Sequence, residues 1–251
     1  MKILSIIQAR MSSTRLPGKS LNEINGKPLI YYVLNQVKKS KLINDIILAT
    51  TNTKKDLALI NSVKNLGFKT FAGDENDVLD RFYKAARLFK GDAIVRITGD
   101  CPLVDPKVID KVIKRFIDSK CDYCSNINPP TFPDGLDVEI FSFEALEQAW
   151  KEAKLKSERE HVTPYIKNNK HRFKIINVRN KEDISYMRWT VDEKEDVIFI
   201  KKILMKLGKK DITLKNILNI LNKFSGLKEI NAKFKRNEGY AKSIKEDQVV
   251  K

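Results

Sequence analysis

The amino-terminal stretch Met1-Lys2-Ile3-Leu4-Ser5-Ile6-Ile7-Gln8-Ala9-Arg10-Met11-Ser12-Ser13-Thr14-Arg15-Leu16-Pro17-Gly18-Lys19 decides the fold. Ile3 to Ile7 reads as a strand buried on both faces. Gln8 to Lys19 follows it directly and gathers three cationic side chains, three hydroxyls and a glycine in twelve residues. In open α/β sheets, ligands bind beyond the carboxyl ends of strands, which is where this loop falls. Arg10, Arg15 and Lys19 can neutralise a polyphosphate, while Ser12, Ser13, Thr14 and the backbone N–H groups near Gly18 donate hydrogen bonds to it. A solvated polar turn is the competing reading. Gly18-Lys19-Ser20 is not a P-loop, because the position five residues before Gly18 is Ser13 rather than glycine.

Working outward, the pattern alternates. Pro28 to Lys39 has helical spacing, Asp45 to Thr50 reads as a second strand, and a polar helix runs from about Lys54 to Asn65. Phe68 to Phe71 is a short strand, Gly73 to Asn76 a turn, Val78 to Phe89 a helix, Ala93 to Thr98 a continuous apolar strand, and Lys107 to Ile117 a helix. Strands alternating with helices predict an α/β protein with a doubly wound, mainly parallel mixed sheet. After about residue 120 the rhythm changes. A loop with three prolines, Asn128 to Gly135, precedes expected strands at Leu136 to Phe141, Phe173 to Val178 and Tyr186 to Val191. Helices are expected near Glu144 to Lys154, Glu158 to Asn168, Asp196 to Leu207 and Leu214 to Phe224. The expected organisation is one domain over residues 1–224 and a basic C-terminal extension over 225–251, either a tail or an arm that docks late.

With 251 residues, 42% hydrophobic and 32% charged, the chain has the composition of a globular protein rather than a disordered one. No apolar run approaches the ~18 residues of a membrane span, and Lys2 to Gln8 is too short for a signal-peptide core, so a cytoplasmic location is expected. The formal charge is +16, and residues 201–251 hold 14 Lys/Arg against 5 Asp/Glu. Only 11 of the 48 basic residues are arginine, the type suited to forked contacts with bases and phosphates, so a lysine-rich solvated surface is the plainer reading and nucleic acid is not the expected partner. Cys101, Cys121 and Cys124 are odd in number, and the Cys121/Cys124 pair opens a strand and has no second pair. Buried thiols are expected rather than a disulfide, zinc or redox site.

Two carboxylates stand at other strand ends. Asp100, in Thr98-Gly99-Asp100-Cys101-Pro102-Leu103, is placed to hold a hard cation such as Mg²⁺, with a turn or N-cap role as the alternative. Asp192, after the expected strand Tyr186 to Val191, has the same ambiguity. A basic loop and two carboxylates at three strand ends are the equipment for metal-assisted attack on a nucleotide phosphate.

Ile7 to Lys19 closely resembles the opening signature of the spore coat polysaccharide biosynthesis protein F family, cytidylyltransferase-like proteins related to CMP-KDO and CMP-neuraminate synthetases. The resemblance continues in order through Gly73 to Arg81, Gly99 to Leu103, Pro133 to Glu139, Glu160 to Ile166, Arg188 to Asp192 and Asn237 to Ser243. It implies a nucleotide-diphospho-sugar transferase fold of the GT-A-like Rossmann type and a nucleotidyltransferase that activates a sugar, sugar acid or related acceptor with CTP. By the same resemblance Arg10, Arg15 and Lys19 clasp the triphosphate, Asp100 and Asp192 bind Mg²⁺, and Thr51, Asn52 and the segment ending at Arg81 line the nucleoside pocket. Asp134, Asp137, Glu139, His161 and Arg188 are acceptor-side candidates, His161 as a base or a packed helix-start residue and Arg188 as an acid-binding group or a structural ion pair.

This chain departs from the synthetases at Thr51 and Asn52, where they commonly carry an acidic residue, and at Cys101, a position often acidic there. The resemblance also implies a homodimer, with Phe141 to Trp150 and the C-terminal arm as candidate contact surfaces. A glycosyltransferase of the same fold is the rival enzyme class, though Asp100-Cys101-Pro102 breaks its usual Asp-x-Asp pattern.

Overall fold

The computed structural model describes residues 1–236 and 238–250; Asn237, at the head of the C-terminal signature, lies outside the described residues. The elements in chain order are β1 (Ile3–Gln8), a small hairpin of β2 (Glu23–Ile24) and β3 (Lys27–Pro28), α1 (Leu29–Lys38), β4 (Asp45–Thr51), α2 (Leu57–Asn65), β5 (Lys69–Gly73) and α3 (Val78–Leu88). There follow β6 (Ala93–Thr98), α4 (Pro106–Ser119), β7 (Tyr123–Ser125), β8 (Glu139–Ser142), α5 (Phe143–Glu152), α6 (Lys156–His161), α7 (Pro164–Asn168), β9 (Ile175–Asn177), α8 (Lys194–Leu207), α9 (Leu214–Lys223) and α10 (Glu238–Lys245).

The main sheet has the order β5-β4-β1-β6-β8-β7-β9, and only β8 runs against the others. Its apolar strands supply both faces by alternation. Ile7, Val95 and Ile97 join one core with α1, α4, α8 and α9, while Ile6, Ile94 and Phe141 join the other with α3 and α5. Local caps fix where helices start. Asp77 accepts from Asp80 N at the head of α3, and Asp105 accepts from Lys107 N before Pro106 opens α4. The second oxygen of Asp105 accepts from Leu214 N at 2.7 Å, which ties α9 to the same corner.

The chain leaves β1 for β4 on one side and later returns to β6 on the other, so the loops beyond β1 and β6 diverge and open a crevice. This is the expected doubly wound, mainly parallel arrangement.

Two expectations change. Tyr186 to Val191 is not a strand: it touches the Pro133 loop through a single bridge, Arg188 with Asp134, and Val191 N then donates to Asp100 O. The expected helix Glu158 to Asn168 breaks into α6 and α7 at Val162, whose φ is +71°. Of the two alternatives for the segment beyond 224, the described residues follow the docked one, with Leu227 and Asn231 buried and Val249 bridged to Leu155. Phe141, Ala145, Leu146 and Ala149 are buried in the chain's own core, so any contact made by Phe141 to Trp150 would use the opposite face of α5. All three cysteines are buried and unpaired. Among the described residues, no helix is long and apolar enough to cross a membrane.

Candidate active site

A cavity of about 1000 Å³ opens beyond the ends of β1 and β6, between the Arg10 to Lys19 loop, the head of α3, α6 and α10. The loop is shaped before it binds anything. Gly18 adopts φ +73°, a region open to glycine, and its N–H donates to Met11 O at 3.0 Å, while Leu16 is buried in the core. Met11 N donates to Asp56 Oδ1 at 2.8 Å, and Asp56 also accepts from the hydroxyls of Thr50 and Thr51 and from Thr51 N. Burial alone would raise the Asp56 pKa, but these donors hold it below the usual carboxylate value. Arg10, Ser13, Thr14, Arg15 and Lys19 line the cavity; Ser12 donates to Glu75 Oε1 at 2.6 Å.

Lys19 occupies the centre. Its Nζ donates to Asp100 Oδ2 at 2.7 Å, Asp192 Oδ1 at 2.8 Å and the Val191 carbonyl at 2.9 Å, using all three hydrogens. Arg15 Nη2 reaches the same Asp192 oxygen at 2.9 Å. Gly99 allows this convergence: its N–H donates to Gln8 O at 2.8 Å, and a Cβ there would meet Ala9 Cβ at 2.6 Å. Burial disfavours charge on both Lys19 and Asp100, yet their mutual attraction wins, raising the lysine pKa and holding Asp100 down to about 2. Two hard carboxylate oxygens on different loops therefore meet at one cation-sized point.

On the cavity wall formed by the head of α3, Arg81 is 2% exposed, and its Nε and Nη1 have no hydrogen-bond partner. Burial, then the nearby charge of Arg10, lowers its pKa. A buried guanidinium held with donors empty beside a cavity is poised for a polar ligand. Thr51 and Asn52 do not line this cavity: Thr51 is buried with its hydroxyl donating to Asp56, and Asn52 N donates to Gly73 O.

Arg188 lies in the opposite condition. Nε and Nη2 donate to Asp196 at 3.0 and 2.9 Å, Nη2 also to Asp192 at 3.2 Å, and Nη1 to Asp134 at 3.3 Å. Asp196 is fully buried and further accepts from Asp192 N, Glu193 N and Asn231 Nδ2. Arg188 is thus a structural ion pair that braces Asp192 from behind and does not line the cavity. Asp134 and Asp137 sit beside it, Asp137 paired with Arg236 from the C-terminal arm. Burial, then the charge of Asp137, pushes the Asp134 pKa up to about 7.

His161, at the end of α6, lines the cavity and meets Ser243 of α10 at 3.0 Å. Behind it Glu139 pairs with Arg96 and accepts from Tyr123 and Thr163 hydroxyls at 2.5 and 2.6 Å. Despite complete burial, Arg96 and then Lys167 hold the Glu139 pKa down to about 2. Among the described residues no group of three or more His, Cys, Asp or Glu side chains is gathered for a metal. Asp56 and Asp196 were not singled out from the sequence, nor was Arg159, which lines the cavity and donates to Asp77 Oδ2 at 3.0 Å; Ser243 closes the C-terminal signature but was given no role there. Asp56 had a legible signal, an acidic residue just past the Thr50-Thr51 strand end.

Comparison with known proteins gives the family and the fold. A family model described as cytidylyltransferase matches residues 4–237. The spore coat polysaccharide biosynthesis protein SpsF of Bacillus subtilis (strain 168) is 33% identical over 88% of this chain and 94% of its own length. A cytidylyltransferase structure from Leptospira borgpetersenii superposes with a TM-score of 0.87 at 33% identity, covering 91% of this chain and 97% of that one. CMP:2-keto-3-deoxy-manno-octonic acid synthetase complexed with CTP superposes at 0.64 and 16% identity, over 82% of this chain and 99% of that one, which shows a shared fold.

Proposed function

Because the chain belongs to the cytidylyltransferase family, we propose that it is a nucleotidyltransferase that moves the cytidylyl group of CTP to a hydroxyl of a sugar, sugar acid or related anionic acceptor and releases pyrophosphate, in the making of surface polysaccharide. One observation carries this reading: Lys19, Arg15, Asp100 and Asp192 converge at the mouth of a hydroxyl-rich loop, so cation and carboxylate partners of a triphosphate share one point. Arg10 and Arg15 neutralise the triphosphate, and Ser13 and Thr14 donate to its oxygens. A bound triphosphate replaces the carboxylates that Arg15 otherwise meets at Asp192 and Glu193. Arg81 offers its empty donors to the nucleoside end.

The donor set also suits Mg²⁺, whose preference is for carboxylate oxygens completed by phosphate and water. Asp100 and Asp192 would hold it, and the ion would supply positive charge to the phosphoryl oxygens when bound. Lys19 then stands free to support the leaving pyrophosphate. Each preorganised donor of this kind is worth about 3 kcal/mol in the transition state. The acceptor enters along α6 and α10, where Glu160, His161 and Ser243 line the wall.

The test incubates purified protein with Mg²⁺, a panel of nucleotides and a panel of sugars and sugar acids, and measures pyrophosphate. Release with CTP and a loss of at least ~10²-fold in Asp100→Ala are expected. Free nucleoside diphosphate as product, or full activity in Asp100→Ala, overturns the assignment.

A further inference from the structure

The wall facing the triphosphate loop contains a hydrogen-bond chain to which the transfer reaction above gives no role. Ser243 Oγ stands 3.0 Å from His161 Nε2, 3.2 Å from Glu160 Oε2 and 3.1 Å from the Gly239 carbonyl. A hydroxyl has one hydrogen, and a carboxylate or carbonyl can only accept. That hydrogen can serve only one of its three neighbours, and the assignment that leaves fewest lone pairs facing each other gives it to Glu160 or Gly239 and has the imidazole's own Nε2–H donate to Ser243. In a neutral ring the lone pair is then on Nδ1, which has no hydrogen-bond partner among the described residues.

The ring is neutral for a physical reason. Burial comes first and Arg96 and Lys167 add to it, against Glu160 and Glu139, so the pKa falls to about 4. The orientation is fixed from two further sides. Tyr240 of α10 packs edge-on at 4.9 Å between ring centroids, and Val162 turns at φ +71° so that Thr163 N donates to His161 O at 2.8 Å. A β-branched residue in that turn is strained. Stopping α6 at His161 is thus held in place by its surroundings, Thr163 being anchored on Glu139.

We propose that Glu160 and Ser243 are positioning residues that present His161 Nδ1 as the base for the attacking acceptor hydroxyl. The proposal rests on the cytidylyl-transfer reading. In the step, the hydroxyl proton passes to Nδ1 while its oxygen forms a bond to the α-phosphorus of CTP. The bridging bond from that phosphorus to the leaving oxygen breaks, and its electron pair departs with pyrophosphate. The imidazolium later returns the proton to solvent. Negative charge on the bound triphosphate raises the proton affinity of the ring at the moment it is needed.

The chain has two histidines, His161 and His171, so imidazole ¹⁵N spectra of the full-length protein can be assigned with one variant, His171→Gln. The wild type is expected to show hydrogen on Nε2 and no titration between about pH 5.5 and 8. Ser243→Ala is expected to give mixed tautomers, and Ser243→Thr to restore the single one. An Nδ1–H tautomer in the wild type, or a Ser243→Ala spectrum identical to it, overturns the proposal. With CTP and the acceptor that supports turnover, His161→Gln should lose roughly 10²-fold or more in kcat with KM for CTP unchanged. Ser243→Ala should lose less and change the pH profile; unaltered kcat in both variants also overturns it. A wild-type protein that releases no pyrophosphate would instead overturn the transfer reading, while leaving the tautomer result intact.

Discussion

Arg81 and Arg188 are both buried guanidinium groups, and their surroundings are opposite. Arg188 is braced by Asp134, Asp192 and Asp196, and Asn231 closes the cluster from the C-terminal arm. Arg81 has two nitrogens without partners and faces the cavity. A charge whose partners are all internal holds the scaffold, and a charge left incomplete at a cavity wall awaits a ligand. The cavity thus has an incomplete guanidinium in its wall at α3, while the guanidinium that braces Asp192 is complete.

Breaking the complete side should have the largest effect. Arg188→Ala leaves Asp196 buried without its cation, and a loss of about 3–5 kcal/mol in unfolding free energy is expected by denaturant titration. A loss below 1 kcal/mol would erase the distinction between the two arginines. Arg81→Ala should behave in reverse. Folding stability should change by about 1 kcal/mol or less, because an unpaired buried charge goes with the side chain, whereas CTP affinity measured calorimetrically should fall about 10–100-fold.

The third test uses pH. Asp134 has a folded pKa raised to about 7, so it favours the protonated state in the fold. Its contribution to stability is full below the unfolded value near 4 and is lost as pH rises through 7, with a slope of at most about 1.4 kcal/mol per pH unit. Asp134→Asn should remove that slope from denaturation series between pH 5 and 8; a parallel slope in the variant would place the titration elsewhere. Glu139 has the opposite sign. Its folded pKa is depressed to about 2, so its contribution is present above the unfolded value and lost as pH falls through 2. The smallest effect is expected at the exposed pair Lys39 and Asp211, where Lys39→Ala should leave the denaturation midpoint unchanged.

Much of this was legible along the chain. The buried run Ile3 to Ile7 and the loop after it announced both the sheet and the place of the site, since continuous apolar strands and dense donors are local signals. Tyr186 to Val191 shows where local signals mislead. Met187, Trp189 and Val191 are buried in alternation, but so are Arg188 and Thr190, because the segment threads between two loops rather than pairing in the sheet. Burial was readable there and pairing was not. Thr51 was expected at the nucleoside pocket, yet its hydroxyl is taken by Asp56, a partner chosen by the turn that brings Lys54 to Asp56 back over β4. The ion pairs of Arg188 with Asp134 and of Arg236 with Asp137 join distant parts of the chain, and no periodicity encodes them.

The docked C-terminal arm has a practical corollary for anyone building on this chain. Val250 lies on the rim of the cavity, whereas Met1 and Lys2 precede β1 and so lie at the opposite end of that central strand, roughly six residues, or 20 Å, away. A fluorescent partner, affinity handle or surface linkage joined at the carboxyl-terminal end, just past Val250, would hang across the mouth and compete with incoming reactants. The same attachment ahead of Met1 would leave the mouth clear, so the choice of terminus alone decides whether an immobilised preparation can be supplied with substrate.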